Sequence, residues 1–134
     1  MKLDYDYIKQ ILLTMENYEN HQIDSYELMR RLGIRNENNQ TDDILLDKFI
    51  GHLKLLADNQ FIVSSSNTLG FKTGIDGTVI MANALYRITS HGYEFLDVLK
   101  NDTILKKVSK FALSNAWDIG KQLLIEFTSG KISG

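Results

Sequence analysis

Histidines, serines and clustered charges are the residues of this chain that could do chemistry, so their spacing comes first. His21, His52 and His91 stand far apart, and none has a second histidine at the one-turn spacing that aims two imidazoles at one metal. With no cysteine in the chain, thiolate metal sites and disulfides are excluded. Ser90 and His91 are adjacent, but neighbours at a helix start point apart, and no nucleophile elbow surrounds them. His52 falls at the border of an apolar stripe, the place of a half-buried packing histidine. Gly70, Gly74 and Gly77 lack strand-to-helix spacing and no Gly-Lys-Ser/Thr follows, so they read as turn residues rather than a phosphate cradle. The expectation is a protein that is not an enzyme and uses no cofactor or metal.

Charge is the remaining route to function. The formal net charge is −2, which gives no blanket attraction to nucleic acid. A basic set is nevertheless available: Arg30, Arg31 and Arg35, then Lys48 and Lys54, then Lys72. Together these could hold the phosphates of double-stranded DNA. Against this stand Asp43, Asp47, Gly51 and Asp58, which project opposite the apolar stripe of the same stretch as Lys54. Asp43 complements a helix dipole, but Asp47 and Asp58 have no such role, and carboxylates repel phosphate. That face therefore offers an alternative, a protein partner. Gly51 costs about 1 kcal/mol relative to Ala in a helix interior and is compatible with close approach of a partner backbone or with simple tolerance. Lys100, Lys106, Lys107 and Lys110 form the most basic local run.

The elements that must position these residues centre on Thr41–Val63. Thr41 reads as an N-cap, and Leu45, Phe49, Leu53 and Leu56 form a stripe at helical spacing. Asn59 can take the left-handed conformation that ends the helix, and Phe61-Ile62-Val63 turns to a β-rich run. Upstream, Asp4 or Asp6 opens a helix carrying Ile8, Ile11, Leu12 and Met15. Asp24 with Glu27 has the form of a capping box before a short helix that Gly33 ends. Downstream, strands are expected at 61–65, about 78–82 and 84–88, with Asp76-Gly77 marking a tight hairpin. Thr89 or Ser90 caps a helix with Tyr93, Leu96 and Leu99 inward. Asn101-Asp102-Thr103 breaks the chain before a further amphipathic helix, and Ser114 or Asn115 caps the last one, with Gly120, Leu123, Leu124 and Phe127 on one side.

Two of these runs carry a resemblance. His52-Leu53-Lys54-Leu55-Leu56-Ala57-Asp58 followed by Phe61-Ile62, and Arg87-Ile88-Thr89 followed by Gly92-Tyr93-Glu94-Phe95-Leu96-Asp97 and Asn101-Asp102-Thr103-Ile104, are similar to an uncharacterised bacterial and prophage family. Lys2, Asp4, Ile8, Ile11 and Leu12 match the start of that family. The resemblance covers nearly the whole chain apart from 64–83. It implies a winged-helix-like fold and a mobile-element setting, and no catalytic residues.

The reading is thus an α+β winged helix-turn-helix: three helices and a two- or three-stranded wing sheet over 1–100, with an enlarged wing at 64–83. A helical extension follows at 101–129, then a loose tail at 130–134. The expected function is that of a phage-type regulator binding double-stranded DNA, with a protein-binding scaffold as the alternative. A homodimer through the C-terminal helices is a further expectation. The start MKLDYDYIKQ is too polar for a signal peptide and no apolar run is long enough to span a bilayer, so a cytoplasmic protein without membrane contact is expected.

Overall fold

The computed structural model describes residues 1–130, so of the tail expected to be loose only Gly130 falls within the description and residues 131–134 lie outside it. The chain is a mixed α+β fold. Its elements run α1 (Tyr5–Glu16), β1 (Ile23–Asp24), α2 (Ser25–Arg31), α3 (Asp43–Asp58), β2 (Ile62–Ser64), β3 (Phe71–Thr73), β4 (Val79–Met81), β5 (Leu85–Ile88), α4 (Ser90–Lys100), α5 (Asp102–Val108) and α6 (Leu113–Thr128).

Short polar side chains set most helix starts. Asp4, Asp24, Asp42, Thr89 and Asn101 each accept a backbone N–H from the first turn they cap. For α3 the cap is Asp42 rather than Thr41. Asp24 takes the N–H groups of Tyr26 and Glu27, but the Glu27 side chain does not return to Asp24, so only half of the capping box forms. No side chain caps α6, which starts at Leu113 after Ala112, ahead of the expected Ser114 or Asn115. At the end of α3, Asn59 keeps φ −91° and Gln60 takes the left-handed turn at φ 62°.

Two antiparallel sheets form. In the first, β5 lies between β1 and β2, with Ile23 opposite Tyr86 and Ile62 opposite Ile88. The second is the β3–β4 hairpin, with Phe71 opposite Met81 and Lys72 opposite Ile80. The segment 78–82 therefore pairs with 71–73 and not with the larger sheet. Strand β1 escaped sequence reading because two residues show no periodicity, and β3 because it sits among glycines. The hairpin expected at Asp76-Gly77 is present, with Gly77 at φ 84° and the Gly74 N–H bonded to the Thr78 carbonyl at 2.8 Å.

One buried cluster joins α1, the larger sheet, α3, α4 and α5 and takes in Leu113 and Ala116 of α6. The stripe of α3 is Leu46, Phe49, Leu53 and Leu56. Leu45, expected in it, is 39% exposed, because a one-residue step turns a side chain by about 100° away from the core. Tyr93 likewise faces outward while Phe95, Leu96, Val98 and Leu99 are buried. Gly92 explains its own place after Thr89: a Cβ there would collide with the Phe61 carbonyl and the Ile88 side chain. Thr89 ties the same junction, donating its N–H to the Phe61 carbonyl at 3.0 Å and capping Gly92 N–H at 3.0 Å.

Candidate functional site

Helix α3 is locked from the α1 side. His52, with no exposed surface, accepts the Asp4 backbone N–H through Nε2 at 2.9 Å and donates its Nδ1–H to the Lys48 carbonyl at 2.8 Å. Those partners assign the neutral tautomer with the proton on Nδ1. His52 is thus fully buried, not half-buried, and its role is to bond α3 to the start of α1. Asp4 also pairs with Lys48 at 2.9 Å, and the Lys48 ammonium lies over the Tyr7 ring at 4.5 Å. The Lys48 hydrogen bond is the main reason the Asp4 carboxyl is held below its usual range. Burial, aided by the Asp4 charge, pushes the Tyr7 hydroxyl up to about 12. Lys48 is engaged within the fold.

The other flank of α3 is open. The inner face of the hairpin, through Thr73, Val79 and Met81, stands opposite Asp43, Leu46, Asp47, Ile50 and Gly51, and the two walls enclose a groove of about 760 Å³. The hairpin is anchored by Phe71, whose ring meets Phe49 edge-on at 6.1 Å. Asp43, Asp47 and Lys54 are exposed and form no ion pair among the described residues. Just outside, Ile44 is 83% exposed. Gly51 has an internal explanation, since a Cβ there would collide with the Met1 thioether lying across it. Asp58 is eleven residues beyond Asp47, about 16 Å along the axis, and borders a separate depression near Val63 and Ser64. Of the four acidic-face positions, the fold gathers Asp43, Asp47 and Gly51, and leaves Asp58 apart.

The six basic positions do not form one surface. Arg30 grips Glu27 through Nε at 3.1 Å and Nη2 at 2.5 Å, and Arg31 holds the same carboxylate at 2.8 Å. Arg31 also reaches Glu19 at 3.7 Å and covers the Tyr18 ring. The arginine bonds, Arg30 first, hold the Glu27 carboxyl below its usual range. Arg35 lies over the Tyr26 ring at 4.3 Å, and its Nε and Nη1 are buried without a hydrogen-bond partner. Lys72, opposite Ile80 in the hairpin register, sits on the hairpin face turned away from Phe71 and the groove. Lys54 alone of the six lines the groove.

Glu27 was the readable signal here, since its three- and four-residue spacing to Arg30 and Arg31 is that of helix ion pairs. The groove walls Thr73, Val79 and Met81 had no such signal, because only folding brings them against α3. Among the described residues no group of three or more His, Cys, Asp or Glu could hold a metal ion. No described helix is long and apolar enough to cross a membrane.

Comparison with known proteins adds one match. The family model described as "Hypothetical protein (DUF2513)" matches residues 2–118, which include every element up to the first turns of α6. No curated protein and no solved structure matches the chain significantly.

Proposed function

The chain belongs to the DUF2513 family of hypothetical proteins, and we propose that it is a non-enzymatic, winged-helix-type module that binds a protein partner in the groove between α3 and the hairpin. The order α1-β1-α2-α3, then strand, hairpin and strand, with sheet order β1-β5-β2, supports the winged-helix reading. In that reading residues 1–100 are the module, the β3–β4 hairpin is its enlarged wing at 64–83, and α5 and α6 are the extension at 101–129.

The observation that carries the partner class is the charge of the α3 groove. Asp43 and Asp47 stand without ion pairs among the described residues, beside the apolar side chains of Leu46, Ile50, Val79 and Met81, while Arg30, Arg31 and Lys48 are tied to carboxylates of the chain itself. A helix presented to the major groove works with Arg, Lys, Asn or Gln, and phosphates repel the carboxylates found here. The matching ligand is a polypeptide segment with aliphatic and Lys/Arg side chains.

A regulator of double-stranded DNA is the second reading, favoured by Lys54 and Lys72, which are exposed and free of ion pairs among the described residues. Charge reversal separates the two. Peptides selected from a random display library should be rich in Lys, Arg and aliphatic residues, and Asp43→Lys/Asp47→Lys should abolish their binding. A labelled mixed-sequence duplex should show no anisotropy change at low salt with the wild type. Duplex binding that falls steeply with salt, and strengthens in the double variant, would replace the protein reading with the DNA one.

A further inference from the structure

Arg35 is the arginine at the α2–α3 connection that the fold positions but leaves without an anion among the described residues. Its neighbours Arg30 and Arg31 both hold the Glu27 carboxylate, whereas Arg35 takes part in no hydrogen bond or ion pair of its side chain among the described residues. Nε and Nη1 are shielded from water and unbonded, and Nη2 is the guanidinium nitrogen left open. Buried donors are almost always satisfied, so a shielded pair without a partner calls for an explanation.

The side chain is also held in place. Its guanidinium stacks at 4.3 Å over the Tyr26 ring, a contact that orients the plane and consumes no N–H. Its backbone is pinned by a bridge to Thr41 and by the Arg35 N–H bond to the Met29 carbonyl at 3.4 Å. The stack borders a depression of about 420 Å³ that also meets Tyr18, Asp24, Glu27 and Arg30. Neither acid there serves Arg35. Asp24 accepts the N–H groups of Tyr26 at 2.8 Å and Glu27 at 3.3 Å through Oδ1, Glu27 holds the other two arginines, and neither forms an ion pair with Arg35.

We propose that Arg35, stacked on Tyr26, is a receptor for a single carboxylate, the side chain of an Asp or Glu on a partner polypeptide. A planar carboxylate matches the guanidinium fork and can be held by two parallel hydrogen bonds once the group pivots on its stack. Glu27 is already offset by Arg30 and Arg31, so the Asp24 charge, which has no ion pair among the described residues, is what favours a monoanion over a dianionic phosphate. The site lies on the α2 side of the molecule and does not depend on the α3 groove having a partner.

The test is a titration of the full chain, labelled with ¹⁵N at arginine Nε, with sodium acetate, sodium chloride and inorganic phosphate at matched ionic strength. The Arg35 Nε–H resonance should move saturably with acetate, and more than with phosphate, while those of Arg30 and Arg31 stay near their starting positions. Arg35→Lys, which keeps the charge but lacks the fork, should weaken the acetate response of the surrounding backbone amides, and Arg35→Gln should remove it. A chloride curve that coincides with the acetate curve would overturn the site. Saturation by phosphate at lower concentration than acetate would overturn the carboxylate assignment. Both readings come from the wild-type protein, so misfolding of a variant does not shield the proposal.

Discussion

On its buried flank, α3 meets the rest of the chain through Leu46, Phe49, Leu53 and Leu56, and through a histidine that bonds to the start of α1. On its open flank, it meets a two-stranded hairpin whose one well-buried side chain is Phe71, with Ile75 and Ile80 facing solvent. One flank is held by apolar burial and satisfied polar groups at once. The other is held by the Phe71 ring and by the partly buried Val79 and Met81, and it leaves acidic and apolar surface open beside it. If the open flank binds a partner as proposed, stability and recognition lie on two sides of one helix, and changes on the two sides should have separable effects.

The largest expected effect is on the buried flank. Leu53→Ala empties space in the core and should cost roughly 2–5 kcal/mol. A thermal midpoint within a degree of wild type would break the contrast. Phe71→Ala should cost about 2 kcal/mol, less than a central aromatic, because a hairpin can settle into the space it leaves. Amide exchange should show its loss at Val79–Met81 well before Leu85–Ile88, and simultaneous exchange would mean that the hairpin and the sheet open as one unit. His52→Leu removes the acceptor of the Asp4 N–H and should cost about 1–2 kcal/mol in chemical denaturation.

Asp4→Asn sharpens the comparison through pH. An asparagine side chain still caps α1, so the substitution removes mainly the pair with Lys48, which at its exposure is worth less than about 1 kcal/mol. The folded carboxyl is held below its ordinary 3.8. The contribution is therefore complete above that value and is lost as the pH falls through the lower folded value. The stability curves of the wild type and the Asp4→Asn variant should run apart near neutrality and converge in acid, and parallel curves would count against the pair. The smallest effect is Ile80→Ser, on the exposed hairpin face, which should change stability by no more than about 0.5 kcal/mol in the same denaturation assay.

Helix positions and most helix starts were legible in the sequence, because amphipathic spacing and Asp, Thr or Asn caps are local features. The phase of α3 was legible only in part. Leu45 and Leu46 both extend the Phe49-Leu53-Leu56 row at helical spacing, and contact with the core decides for Leu46. The basic set Arg30, Arg31, Arg35, Lys48, Lys54 and Lys72 was visible as residue types, but not as separate environments. Which lysine meets Asp4, which arginines meet Glu27 and which has no ion pair among the described residues depend on distances that the chain order does not contain.

Local pattern by itself determined an α+β chain with a long central helix, a β-rich run after it and an Asp-Gly hairpin, since each depends on neighbours within a few residues. Tertiary structure alone decided that Gly51 admits Met1, that Gly92 admits the Phe61 carbonyl, and that the hairpin turns its Phe71 face to α3. Close approach between distant segments is a property of packing, and only the folded chain brings such segments within contact distance.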